Sequence, residues 1–170
     1  PVQTSRSTDA ARSITPLLRE QQAFIEGDVI VHLAVADRRC VPHLAIGAGC
    51  WVTPEAPRVT VLIDRAQSRS FLDVLAETRR IAVEFGRAPG HESIQIKGSD
   101  CVIETADADA RRVAVTYRDK VARQLAVLGL ASAATDLYLG LPFADLVALH
   151  FTPTALFQQM PGPQAGQALA

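Results

Sequence analysis

No sign of charge dominates this chain. Its 17 lysines and arginines against 18 aspartates and glutamates leave a formal net charge of -1. Such a surface offers no overall field to nucleic acid or an anionic membrane, so any phosphate must be held by a local cluster. No apolar run approaches the roughly 20 residues that a membrane-spanning helix needs. The opening stretch PVQTSRSTDAARS lacks the apolar core of a signal peptide. The expected setting is the cytoplasm, with neither membrane nor nucleic acid as partner. Cysteine is scarce too: Cys40, Cys50 and Cys101 are odd in number and form no C-x-x-C pair. They read as inert thiols and not as a disulfide framework or a zinc site. Also missing are G-x-S-x-G, a phosphate-loop lysine motif and G-x-G-x-x-G. His91-Glu92 opens like a metalloprotease helix, but Gln95 stands where the second histidine belongs. With neither a nucleophile–base pair nor a metal set, redox chemistry would have to come from a cofactor.

What is present suits one domain. A chain of 170 residues, 48 % apolar and 21 % charged, buries about 70 % of its unfolded surface. Residues 1–13 are polar and read as a flexible N-terminus. Ser13 or Thr15 caps a helix to about Glu26, with Pro16 at the favoured first position and Gly27 as its stop. Strands are expected at Val29–Val35, Val41–Ile46, Cys50–Thr53 and Arg58–Ile63, joined by short loops that force antiparallel pairing. A short helix from Ser70 to Ala76 interrupts them. Strands Ile81–Phe85 and Ser93–Glu104 follow, then a long helix from Thr105 or Asp107 to Leu128. A second short helix, Ser132–Tyr138, leads to a last strand, Leu146–Phe151, and an irregular tail. Six or seven mostly antiparallel strands with peripheral helices point to a small barrel or closed sheet.

Two clusters could carry chemistry. In Glu92-Ser93-Ile94-Gln95-Ile96-Lys97-Gly98 the alternation puts Ser93, Gln95 and Lys97 on one face, about 6.7 Å apart. That row can follow an extended polar ligand, or be the wet face of an antiparallel strand. The corner Arg65-Ala66-Gln67-Ser68-Arg69-Ser70 opens a helix, where N–H groups, hydroxyls and guanidinium groups suit an anion. It also reads as a plain N-cap with solvated arginines. Taken together, the clusters favour one shared phosphorylated ligand. His32 and His150 alternate with apolar residues and read as structural; His43 is ambiguous.

The corner RAQSRS after VTVLID, the double strand RRIAVEFGRAPGHESIQIKG and the closing FTPTALFQQMPGPQAG resemble the pyridoxamine 5'-phosphate oxidase-related, FMN-binding split-barrel family over roughly residues 20–165. The resemblance implies a six-stranded antiparallel split β-barrel over 14–160, with residues 161–170 as a tail. It also implies a homodimer with one FMN in each of two interface grooves. Arg65, Ser68 and Arg69 would hold the phosphate and ribityl region, with Gln95 and Lys97 on the facing strand and Ser70 and Ser93 as weaker candidates. The implied function is that of an FMN-dependent oxidoreductase of unknown small-molecule substrate, with no catalytic residue assigned. The alternative is a non-catalytic carrier of a flavin, haem or F420. Two departures stand against the vitamin B6 reaction. The first strand, CVPHLAIGA, has no arginine or lysine, and AGQALA lacks the arginine–histidine substrate pair.

Overall fold

The structure, a computed structural model, describes residues 2–53, 55–140, 142–143 and 145–169, with side chains from Ile14 onward. Helix α1 (Val2–Ile25) is followed by strands β1 (Ile30–Ala36), β2 (Pro42–Ile46), β3 (Gly49–Thr53) and β4 (Arg58–Asp64). Then come α2 (Arg69–Thr78), β5 (Ile81–Gly86), β6 (Ser93–Gly98) and β7 (Val102–Thr105). The chain closes with α3 (Ala108–Val127), α4 (Ser132–Leu139), β8 (Leu146–Phe151) and β9 (Ala155–Gln158). No described helix is long and apolar enough to cross a membrane.

The strands form two antiparallel sheets. One has the order β2-β1-β5-β6-β9, the other β3-β4-β8-β7. Alternation in β1 buries Val31, Leu33 and Val35 and turns His32, Ala34 and Ala36 outward. Phe71, Phe85 and Phe151 are fully buried in the core between the sheets. In β4 and β8 nearly every residue is buried, because α3 covers the second face of their sheet. A small cluster of Ala48, Ala106, Ala110, Ala114 and Ala148 lets that helix come close. Asp107 caps it, its carboxylate accepting from the Ala110 N–H at 2.8 Å.

Three expectations are corrected. The first helix does not start at Ser13 or Thr15; it runs from Val2, and Pro16 lies inside it at the cost of one ladder bond. The single strand expected at Ser93–Glu104 is two strands in different sheets. A side chain at Gly98 would meet the Phe151 ring at 2.5 Å, and the chain turns there from one sheet to the other. Finally, the described strands number nine in two antiparallel sheets, against the six or seven of a small barrel or closed sheet and the six of the split barrel that the resemblance implies. The ninth, β9, lies within a stretch left without an assigned element.

Candidate functional site

The five-stranded sheet keeps one face open, and strand register aligns its outward side chains in rows. One row is Ile46, His32, Glu84, Gln95 and Phe157. The next, one pleat repeat away, is Leu44, Ala34, Ala82, Lys97 and Ala155. Ser93 stands opposite Gly86 in the row on the other side. Lys97 is exposed and lies over the Phe157 ring, its Nζ 4.7 Å from the centroid.

The corner between β4 and α2 is held by Asp64, which is buried at the strand end. Its Oδ1 accepts from the N–H groups of Ala66 (2.9 Å) and Gln67 (3.2 Å), and its Oδ2 from that of Asp145 (3.2 Å). Such side-chain bonds to nearby N–H groups fix a turn. Arg65 is engaged by Asp145, to whose carboxylate its Nε donates at 2.9 Å. Ser68 occupies the cap position of α2 but its hydroxyl makes no cap bond; the residue is buried and lines a groove instead. Arg69 and Ser70 are exposed. Among the described residues, Arg69, Ser70, Gln95 and Lys97 show no side-chain hydrogen bond or ion pair, so their donors remain available to a ligand.

A groove of about 430 Å³ runs between this corner, the β1–β2 edge and the end of α4. Leu44, Ile46, Leu139 and Phe143 form its apolar wall, and His32, Gln67 and Ser68 its polar side. The Gln67 amide donates to the Gly140 carbonyl at 2.8 Å, clasping α4 to the corner. A second groove of about 260 Å³ lies on the other side of His32 and is lined by Glu84, Arg87, His91 and Ser93 among others.

Within one chain the two predicted clusters do not share a groove. Ser68 faces the β1–β2 edge, Arg65 and Arg69 line a separate recess with Asp145, and Ser93 lies in the second groove. With strands about 4.8 Å apart, Gln95 and Lys97 on β6 stand about 10 Å from β1 and 14 Å from β2.

His32, read from the sequence as structural, lines both grooves. Its side chain is half exposed, with Nδ1 3.0 Å from Glu84 Oε2 and Nε2 2.8 Å from the Tyr138 hydroxyl. The alternation of IVHLAVA already turned it outward, but its partners are 52 and 106 residues away. Burial, assisted by Glu84, pushes the Tyr138 phenol up to about 12. His150 is structural as expected: Nδ1 lies 2.9 Å from the Thr60 hydroxyl and the ring stands edge-on to Trp51. Cys50 and Cys101 are buried thiols pushed up to about 12 by desolvation, whereas Cys40 is exposed. Among the described residues no group of three or more His, Cys, Asp or Glu gathers to hold a metal ion.

No protein-family model and no curated protein matches the chain. Solved structures do. An FMN-binding protein from Syntrophomonas wolfei subsp. wolfei is similar with a TM-score of 0.53 at 11 % identity, over 92 % of this chain and 95 % of that one. HupZ of Group A Streptococcus is similar with a TM-score of 0.50 at 12 % identity, over 87 % and 98 %. An F420 reductase is similar with a TM-score of 0.50 at 14 % identity, over 79 % and 94 %. At such identities the likeness is one of fold.

Proposed function

Starting from a chain with the fold of the pyridoxamine 5'-phosphate oxidase-related split-barrel proteins, we propose that it binds FMN as a homodimer and serves as an oxidoreductase for a small molecule. The observation that carries this reading is a pair of donor sets without a side-chain hydrogen bond or ion pair among the described residues, Arg69 and Ser70 at the corner and Gln95 and Lys97 on β6, together with an apolar groove wall at the β1–β2 edge. Together they fit a ligand with an anionic end, a hydroxylated chain and a flat apolar ring. A bound flavin supplies electron transfer; the chain's own residues bind and orient.

Electrostatics decide which end goes where. Glu84 lies cross-strand from both His32 and Gln95, so the middle of the open face repels a phosphate. The phosphate end belongs near Arg69 or Lys97, and the ring near Leu44 and Ile46. Leu44 is 73 % exposed, and the grooves lined by corner residues include neither Gln95 nor Lys97. A second copy laid on the same face would bury Leu44 and bring its β6 across the groove. The fold likeness to an FMN-binding protein supports a flavin as the ligand.

A second reading, a non-catalytic carrier of a flavin, haem or F420, is favoured by one feature. The outward positions of β2 are Pro42, Leu44 and Ile46, with no cation among them.

The test is the visible spectrum of the purified protein before and after FMN and desalting, followed by titration. Charged hydrogen bonds are worth about 1.5–3 kcal/mol each, so Arg69→Ala with Lys97→Ala should weaken FMN binding roughly a hundred-fold or more. Unchanged affinity in the folded double variant, or no retained flavin, refutes the assignment. A bound flavin that NAD(P)H bleaches and an acceptor recolours separates the enzyme from the carrier.

A further inference from the structure

His32 on β1 is gripped on both ring nitrogens by residues from two other elements, Glu84 on β5 and Tyr138 on α4. An ionised carboxylate only accepts, so in the neutral ring Nδ1 carries the proton and donates to Glu84. Nε2 is then the acceptor for the Tyr138 hydroxyl. The Tyr138 and His32 rings meet edge-on, 87° apart. With both nitrogens occupied, His32 cannot bond a ligand in its own plane, although it lines both grooves. The termini of the chain of bonds are the Glu84 carboxylate, which lines the second groove, and the Tyr138 hydroxyl, which lies 2.8 Å from Nε2 of His32, a residue that lines both grooves. The raised Tyr138 phenol keeps its proton at neutral pH.

We propose that Tyr138, His32 and Glu84 form a proton relay for a small molecule in the groove, one that presents an acceptor oxygen or nitrogen to Tyr138. The proposal rests on the oxidoreductase reading for its purpose, since reduction of such a molecule consumes a proton. A second proton on Nε2 makes that nitrogen a donor. The Tyr138 oxygen then accepts from it and turns its own hydrogen toward the groove. In the transfer the Tyr138 O–H bond breaks as the ligand's new bond to hydrogen forms. The Nε2–H bond breaks as the phenol is restored, and Glu84 holds the Nδ1 proton throughout. One proton passes from His32 to the ligand and no electrons move. Tyr138 is the donor; His32 and Glu84 position and supply it. The other charged or titratable groups around His32 are Asp64 in the first groove and Arg87, His91 and Glu92 in the second. Asp64 is taken up by backbone N–H groups, and Arg87 pairs with Glu92 at 3.1 Å.

The experiment is NMR on the full chain labelled with ring nitrogen-15 histidine and Cζ carbon-13 tyrosine, between about pH 5.5 and 8.5. The Tyr138 Cζ signal should move with the His32 ring, stay flat in His32→Gln, and the neutral ring should carry its proton on Nδ1. Glu84→Gln should release that single tautomer. A Tyr138 signal that ignores His32, or a neutral ring protonated on Nε2, overturns the relay. In parallel, FMN is titrated over the same range by flavin fluorescence. Wild-type affinity should change by about fivefold or more over that range, and His32→Gln should be flat. FMN binding that is independent of pH in the wild type overturns the ligand-facing role. If FMN binds at no pH, the flavin reading fails and the NMR result alone decides the relay.

Discussion

Gly140 ends α4 in the left-handed region, at φ 67°, and a Cβ there would run into the Gln67 amide that clasps the helix to the corner. Gly140→Ala therefore combines backbone strain with a broken clasp, and is expected to cost about 1–3 kcal/mol in urea unfolding. A variant as stable as wild type would show that α4 is held from elsewhere. Two groups contribute to the response to acid. Desolvation holds His150 below its ordinary 6.5, so the unfolded chain binds more protons, and stability falls as pH drops through about 6.5 toward the folded value. The hydrogen bond from Arg123 holds Asp28 below its ordinary 3.8. Its stabilising contribution is full above that value and is lost as pH falls through the lower folded one. Urea midpoints should thus decline in two stages, the first reduced in His150→Gln and the second in Asp28→Asn. Coincident profiles for wild type and either variant would assign that stage to another group. The same residue scale shows where sequence reading stops. The outward position of His32 was legible in IVHLAVA, but a bond to Tyr138 across 106 residues leaves no local trace. The donors of the corner and of β6 were legible because composition and alternation are local signals. Their separation in one chain was not, since it depends on which strands intervene.

At the scale of elements, the step from β6 to β7 is the least forgiving join. Gly98 faces the buried Phe151 ring, the Thr152 N–H donates to the Asp100 carboxylate at 2.8 Å, and Arg79 donates to the Asp100 carbonyl at 2.9 Å. Gly98→Ala should force Phe151 aside and cost about 1–3 kcal/mol, with the loss visible in thermal unfolding. Truncating the ring at the same time should recover part of that loss, and strict additivity would show that the two do not meet. Period-two alternation and Gly/Pro punctuation made most strands legible, and Asp107 announced α3. The break at residues 99–101 was not, because SIQIKGSDCVIET reads as one extended run. The close approach of Phe151 and Thr152 is what makes Gly98 a corner. The length of α1 was hidden by Pro16, which local rules place at a helix start and the structure places inside one.

For the whole molecule, the two sheets differ in what covers them. The four-stranded sheet is faced by α3, whereas the five-stranded sheet leaves Leu44 and Ile46 exposed at its β2 edge, on the same face as the donors of β6. Light scattering should give the mass of a dimer, and Leu44→Glu should shift it to that of a monomer with the fold retained by circular dichroism. A monomeric wild type with flavin bound would overturn the shared groove. The antiparallel, mainly β character was legible from loop lengths alone, since short connections leave no other pairing. The division into two sheets was not, because it is set by contacts such as Gly98 with Phe151. One consequence concerns how such a chain can change length. The seven residues of β1 supply core and site in opposite phase: Val31, Leu33 and Val35 inward, His32 and Ala34 outward. Deleting or inserting one residue there would exchange the two sets, sending His32 into the core and Leu33 into the groove. Length variation around β1 is thereby pushed to its flanking connection at residues 37–40, and the outward face of β1 can change only by substitution.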